Sequence, residues 1–512
     1  MLPNILWIQT DEHRPDSLGC YGSAWARTPA LDALARSGTR FENAVCQSPV
    51  CVPSRTSQLT ARYPQEVNCL GNEVGESEIA GTANAGVGSV LPAGTMTFPQ
   101  HFAQHGYQTA SFGKIHTPKN PTWQLAKPLV NDTTYAGYFG LAPGFDETQH
   151  RVLRPAGGSP IIIAGTYPND ADTPSKQVTD WAIEWLEHGR DSNRPFLLRI
   201  SHNWPHTPVL PPPPYDRIYD AVALPVRGFD RVAYETRSAW DREMADVRHL
   251  DLLTDAEMEH QWKSYMGLCA YVDLEVGRAI TALERCGLRE NTIIVFSADH
   301  GKALGEWGAG EKGFFDQEVW RVPFVWSWPG RIPENSVRTS PCELLDTAVT
   351  LSELAGVEPH PSWRGRDLFG GTGEVEAVFG QIGWPRGSWH RGASQGRIDP
   401  SEGVAFDADP NELRGANRPA RSVRSNALRV AVRTRDFRMD ETWMKDGVRI
   451  QPDQADGNLF DLREDPEERW NLWSTTKHEA TRRQLRALLH AWFERLDRPV
   501  ETFGPSGRQH ER

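Results

Sequence analysis

The chain has 512 residues, 38% of them hydrophobic and 24% charged, the profile of a soluble globular protein with core enough for two domains of unequal size. Its formal net charge of −12 argues against a nucleic-acid or anionic-membrane partner and requires an anionic substrate to be drawn in by local positive charge. No stretch approaches the ~20 apolar residues of a membrane span, and a strand starts by residue 4 with no room for a leader, so a cytoplasmic protein is expected.

In chain order, the apolar run 4–8 reads as a buried strand and 28–37 as an amphipathic helix. At Cys51 the chain turns from strand to helix, where Pro53 fixes φ and Ser54 can cap. Helical spacing returns at 98–105 and 176–188, with strand-like apolar runs at 160–164 and 195–201. Pro208 to Pro214 is nearly all proline and must be extended, whereas 215–260 is irregular and charged, an excursion over the sheet edge or a lid. A helix at 264–286, a strand at 292–297, a helix near 342–355 and the segment 364–368 complete a main domain of residues 1–370. Residues 371–512 carry β-rich runs at 376–382, 427–433 and 436–440 around a polar, Arg- and Gly-rich insertion at 384–425, and a final helix at 476–495. The alternation predicts an α/β fold: a large, mostly parallel sheet flanked by helices, with a smaller C-terminal α+β domain containing an antiparallel sheet. Seven scattered cysteines suit reduced, buried thiols better than a disulfide framework.

Two acidic clusters stand at predicted strand ends. Asp11 follows the first strand and Asp299-His300-Gly301 follows the strand at 292–297, and the carboxyl ends of strands are where ligands collect in open α/β sheets. Either cluster alone is as readily a turn or a cap. Together, Asp11 and Asp299 offer a hard cation the oxygen ligands it prefers, with His300 as a nitrogen donor. Arg55 lies one helical turn after Cys51 and can return to the same side, next to those carboxylates. Lys114 and His116 alternate along an extended segment and so can share one face.

The string Cys51-Val52-Pro53-Ser54-Arg55, continued by Leu59-Thr60 and Arg62, resembles the site at which sulfatases convert a cysteine to formylglycine. Further sulfatase-like segments are Leu18-Gly19-Cys20-Tyr21-Gly22 after Asp11, Gly113-Lys114-Ile115-His116, Pro205-His206-Thr207-Pro208, Asp299-His300-Gly301 with Lys312-Gly313, and Leu459-Phe460-Asp461-Leu462. On these motifs the chain resembles the type I sulfatase family of the alkaline phosphatase superfamily over nearly its whole length. The resemblance implies hydrolysis of a small-molecule sulfate ester by a formylglycine derived from Cys51, whose hydrate offers one hydroxyl to attack sulfur and a second to expel the sulfate. It implies one divalent metal, calcium by family default with manganese or magnesium as alternatives, held by Asp11, Glu12, residue 51, Asp299 and His300. It also implies roles for the remaining polar residues: Arg55 steadying the nucleophile, Lys114 and Lys312 on sulfate oxygens, His116 as base for the second hydroxyl, His206 with Lys312 as proton donor to the leaving group, and Asn72 as a donor to the sulfate. A formylglycine-generating enzyme would be needed for maturation.

Three positions depart from the family pattern. Glu12 stands where a second aspartate is frequent, and Ala61 stands for a glycine, a change that matters little if residue 61 has ordinary helical angles. His300 replaces an asparagine found in many arylsulfatases, as in the choline-sulfatase-like and phosphonate-hydrolase-like branches. The main alternative function is therefore phosphonate monoester or phosphodiester hydrolysis, although that branch carries Tyr and Thr where this chain has Lys114 and His116. A noncatalytic binding protein with unmodified Cys51 is the remaining alternative. Trp384, Arg386, Trp389, His390 and Arg391 in the insertion read equally as a substrate pocket wall or as a homo-oligomer contact.

Overall fold

The computed structural model describes residues 2–67, 69–72, 91–118, 122–128, 148–155, 161–168, 173–246, 248–371, 375–383, 427–445 and 448–496. Eight strands form the large sheet: β1 (Asn4–Thr10), β2 (Thr39–Phe41), β3 (Gln108–Gly113), β4 (Leu125–Pro128), β5 (Phe196–Ser201), β6 (Thr292–Ala298), β7 (Phe324–Ser327) and β8 (Ser336–Arg338), in the order β8-β2-β7-β6-β1-β5-β3-β4. Only β7 runs against its neighbours. Every residue of β1 is buried, because helices cover both faces of a parallel sheet. Alternate β1 side chains enter different cores: Ile5 and Trp7 join Phe98 and Trp326 on one face, while Leu6 and Ile8 join Leu268 and Val276 on the other.

The flanking helices are α1 (Pro29–Arg36), α2 (Cys51–Thr60), α3 (Phe98–Gln104), α4 (Pro174–Glu184), α5 (Asp255–Arg285) and α6 (Asp346–Ala355). The 31-residue α5 starts nine residues before the expected helix, at a capping box in which the Thr254 and Glu257 side chains satisfy each other's backbone N–H groups. The expected irregular excursion at 215–260 is therefore partly helical, with further short helices at Arg231–Thr236 and Ala239–Asp246. The apolar run expected as a strand at 160–164 is not in the sheet; Ile161 to Ala164 is buried, but it bonds back to Leu153 and to the proline-rich connection at Val209. Its apolar composition reports burial and not strand pairing.

A second, five-stranded sheet is antiparallel throughout: β9 (Val378–Gly383), β10 (Ala427–Arg433), β11 (Phe437–Lys445), β12 (Val448–Arg449) and β13 (Gly457–Asp461). One face packs under α7 (Glu479–Phe493), where Trp492 stacks on Phe379. Val378, Ile382 and Ala431 on the opposite face enter the core of the large sheet. The insertion carrying Trp384, Arg386, Trp389, His390 and Arg391 lies outside the described residues. Among the described residues no helix is long and apolar enough to cross a membrane, and none of the seven cysteines is in a disulfide.

Candidate active site

Four adjacent parallel strands, β6, β1, β5 and β3, end at the same edge of the large sheet, and the chain leaving each one delivers site residues. Asp11 and Glu12 follow β1, Lys114 follows β3, His206 follows β5, and Asp299 and His300 follow β6. Gly113 makes the exit from β3 possible: its φ is 98°, and a Cβ there would collide with the Ser201 carbonyl of the neighbouring strand. Cys51 is the first residue of α2, so its side chain projects from the helix's N-terminal end. The expected Ser54 cap is not made. Ser54 lies inside the helix, and its hydroxyl donates to the Asp299 carbonyl at 2.5 Å, fixing α2 against the end of β6.

The ligand atoms of Asp11, Cys51, Asp299 and His300, all fully buried, lie within 4.8 Å of one another. Cys51 Sγ is 3.1 Å from His300 Nε2, 3.1 Å from Lys312 Nζ and 3.7 Å from Asp11 Oδ1. Arg55 returns one turn later, as its spacing implies: Nη2 donates to Asp11 Oδ2 at 2.6 Å, Nε to Asp299 Oδ2 at 2.7 Å, and Nη1 to Gln9 and Ser201. Lys114 Nζ makes a second ion pair with Asp11 Oδ2 at 2.8 Å. Asn72 accepts from the Val52 N–H at 2.9 Å, bringing it to the first turn of α2 beside the nucleophile position.

Glu12 groups with Asp11 and His206, the ligand atoms of the three lying within 4.8 Å of one another. Its carboxylate takes Lys302 Nζ at 2.6 Å on Oε2, and Lys312 Nζ at 2.9 Å on Oε1, with His206 Nε2 3.2 Å away. Lys312 Nζ is also 2.9 Å from His206 Nε2. Lys302 continues the chain to Glu311 Oε1 at 2.7 Å, whose other oxygen accepts from Thr207. The buried series Glu311, Lys302, Glu12, Lys312 thus alternates charge beside residue 51 and ends on the His206 imidazole. His116 is buried two residues beyond Lys114, but not on an extended segment shared with it, because β3 ends at Gly113 and His116 has φ 43°. Ala61 also departs from expectation: it ends α2 in the left-handed region, φ 48° and ψ 39°, where a glycine carries no Cβ penalty.

Charge sorts these groups. Burial opposes ionisation of Asp11, yet Lys114 and Arg55 hold its carboxyl well below the usual range. Burial lifts Asp299 to about 7 against the pull of Arg55; of the two carboxyls on that guanidinium, Asp11 is the firmer anion because it alone also meets Lys114. Burial would likewise raise Cys51, but Lys312, Lys114 and His300 together bring its thiol well below the ordinary value. His300 is lifted to about 9 by Asp299 and Cys51 despite its burial.

The donor set fits a divalent cation: two carboxylates and an imidazole converge on residue 51 in a buried site. His300 Nδ1 lies 2.8 Å from the Gly301 carbonyl, so an N–H donated there turns the Nε2 lone pair toward residue 51, the support that metal-ligating histidines commonly receive. Lys302, Glu311, Gln9 and Ser201 lie outside the sequence motifs and join the site only through the fold. Arg199 is a further such residue, fully buried over the Trp7 ring with Nη2 donating to Gln9 Oε1 at 2.5 Å.

Residues 3–357 match the family described as Sulfatase. The chain belongs to the sulfatase family. This sulfatase is 25% identical to the N-acetylglucosamine-6-O-sulfatase of Bacteroides thetaiotaomicron, with 95% of this chain and 85% of the relative covered. It is 31% identical to human iduronate 2-sulfatase over 68% of this chain and 64% of that protein. Its fold is also that of a phosphonate monoester hydrolase from Silicibacter pomeroyi, at a TM-score of 0.72 and 20% identity, covering 98% of this chain and 97% of the other. The chain is thus an enzyme, a sulfuric ester hydrolase with the α/β fold of its family.

Proposed function

We propose that this sulfatase hydrolyses a small-molecule sulfate monoester through a formylglycine made from Cys51 and a divalent cation, calcium in the first instance. The observation that carries the reading is the convergence of Asp11, Cys51, Asp299 and His300 within 4.8 Å, ringed by Arg55, Lys114 and Lys312. The formylglycine would supply an aldehyde hydrate as nucleophile and the cation would polarise it; Asp11, Asp299, His300 and residue 51 would hold the cation, with Glu12 beside them. Lys114 and Lys312 bind sulfate oxygens and offset the charge that grows on them. Lys312 and His206, in contact with each other, donate the proton that the leaving oxygen needs. His116 takes a proton when sulfate departs, Asn72 orients the first turn of α2, and Arg55 keeps Asp11 and Asp299 in place. All of these residues lie at or before position 312, which supports taking 1–370 as the catalytic domain and 371–512 as a smaller C-terminal one. Maturation would require a formylglycine-generating enzyme.

Phosphonate monoester or phosphodiester hydrolysis is the second reading, favoured by the likeness in fold to the Silicibacter pomeroyi enzyme. Both readings are tested by assaying purified protein, and its Cys51→Ala variant, against aryl, choline, alkyl and monosaccharide sulfates and against phosphodiesters. Sulfate release that vanishes in Cys51→Ala is expected. A preference for phosphodiesters over every sulfate ester tried would replace the first reading by the second.

A further inference from the structure

The segment that carries Lys312 is anchored on both sides. Before it, Gly310–Glu311 pairs with Ala303–Leu304; just after it, the Gly313 N–H donates to the Pro49 carbonyl at 3.0 Å, next to the nucleophile turn. Four residues after Lys312 stands Asp316, whose carboxylate meets Arg237 Nη1 at 2.5 Å and Arg438 Nη2 at 3.6 Å. The next residue, Gln317, opens a short helix, and its N–H donates to Glu468 Oε2 at 3.1 Å. Arg438 grips both oxygens of Glu468, at 2.9 and 3.0 Å, and Arg237 donates to the Glu468 carbonyl at 2.7 Å. Arg438 belongs to β11 of the smaller sheet and Glu468 to the loop after β13, while Arg237 and Asp316 belong to the main body.

Asp316, Glu318 and Glu468 form a carboxylate cluster that in isolation resembles a cation site. Here the positive charge is already present: Arg237 and Arg438 meet Asp316, Arg227 meets Glu318 at 2.9 Å, and Arg438 meets Glu468. The cluster is therefore a guanidinium–carboxylate clamp between the main body and the small sheet with its following loop. Buried charge of this kind costs desolvation and adds little net stability compared with apolar packing, so a role in fixing geometry accounts for it better than a role in stability alone.

We infer that Arg438 and Glu468, supplied by the C-terminal sheet and its following loop, are positioning residues that hold the Lys312 segment in register with residue 51 and His206. The inference rests on the reading of Lys312 as a site residue. Lys312 Nζ lies within 3.1 Å of Cys51 Sγ, 2.9 Å of Glu12 and 2.9 Å of His206, and a displacement of about 1 Å at such a centre costs up to about a hundredfold in rate.

The test is a double-mutant cycle on the full-length, metal-loaded enzyme with an aryl sulfate, at a temperature well below every variant's unfolding. Arg438→Met is expected to lower kcat/KM about tenfold to a hundredfold, and to change it by no more than about twofold when Lys312→Ala is already present. Arg486→Met breaks an ion pair between α7 and Glu441 on the same small sheet, and should lower the melting temperature while leaving kcat/KM within about twofold. If Arg438→Met does not fold, Glu468→Gln, which keeps the shape and removes the charge, takes its place in the cycle. An equal loss from Arg438→Met with and without Lys312 would overturn the inference. Full activity in Lys312→Ala would be a separate failure, removing the reading of Lys312 and this inference with it.

Discussion

Arg55 is the residue whose removal has two effects of opposite sign. Its guanidinium is fully buried between Asp11 and Asp299, with nitrogen–oxygen distances of 2.6 and 2.7 Å. At an effective dielectric constant of about 20, each contact is a gross attraction of about 6 kcal/mol, most of it offset by the desolvation of three charged groups. Arg55→Met removes the cation and leaves the carboxylates facing each other, a loss of about 3–5 kcal/mol against a total stability of about 5–15 kcal/mol. The same change frees negative charge at the cation site, so affinity for calcium should rise about tenfold or more, which needs only about 1.4 kcal/mol. The measurements are melting curves in EDTA and in excess calcium chloride, and calorimetric calcium titrations at several pH values, because Arg55 pulls the Asp299 carboxyl down and its loss moves that group further up. The expected result is a variant much less stable than wild type in EDTA whose deficit narrows as calcium is added. A variant that loses calcium affinity along with stability would show that Arg55 sets geometry and not charge, and the electrostatic reasoning would be refuted.

Lys302→Met should cost about 3–5 kcal/mol, because it strips Glu12 and Glu311 of a shared buried cation, and adding Glu311→Gln should recover part of that; denaturation midpoints of the single and double variants check it. Ala61→Gly should raise the melting temperature, since a left-handed L-residue costs about 1–2 kcal/mol and the gain is only partly lost to glycine's freer unfolded chain. Burial, with help from Asp32, lifts Asp273 from 3.8 to about 7 against the N–H groups of Leu31 and Ala30 that it accepts. Between those values the folded state holds a proton that the unfolded chain has lost, so this group's contribution to stability falls as pH rises from 3.8 to about 7. Asp273→Asn should flatten that part of the profile, and an unchanged slope of melting temperature between pH 5 and pH 7 would contradict the assignment.

The parts of the site fixed by local rules were legible in the sequence. Asp11 and Asp299 stand directly after strands whose uninterrupted apolar runs announce burial on both faces, and Arg55 sits one helical turn from Cys51. What could not be read is whatever depends on which chains become neighbours. Lys302 looks like a solvated lysine beside Asp299-His300-Gly301, and only the pairing of Ala303–Leu304 with Gly310–Glu311 brings Glu311 to it and makes both part of a buried charge chain. The clamp at Asp316 brings together Arg237, 79 positions before it, and Arg438, 122 positions after it, and leaves no local pattern. Two misses had local signals. Thr254-Asp255-Ala256-Glu257 spells a capping box that dates the start of α5. The glycine usual at position 61 marks a left-handed helix end, which Ala61 adopts all the same.

The central claim, that residue 51 works as formylglycine, is tested most directly by the mass of one tryptic peptide from active enzyme. Cleavage after Arg40 and Arg55 yields residues 41–55, which hold both Cys46 and Cys51. The account predicts that Cys46 remains an alkylatable thiol while residue 51 carries an aldehyde in a fraction that rises and falls with specific sulfatase activity. A fully active preparation in which residue 51 is a thiol throughout would contradict it.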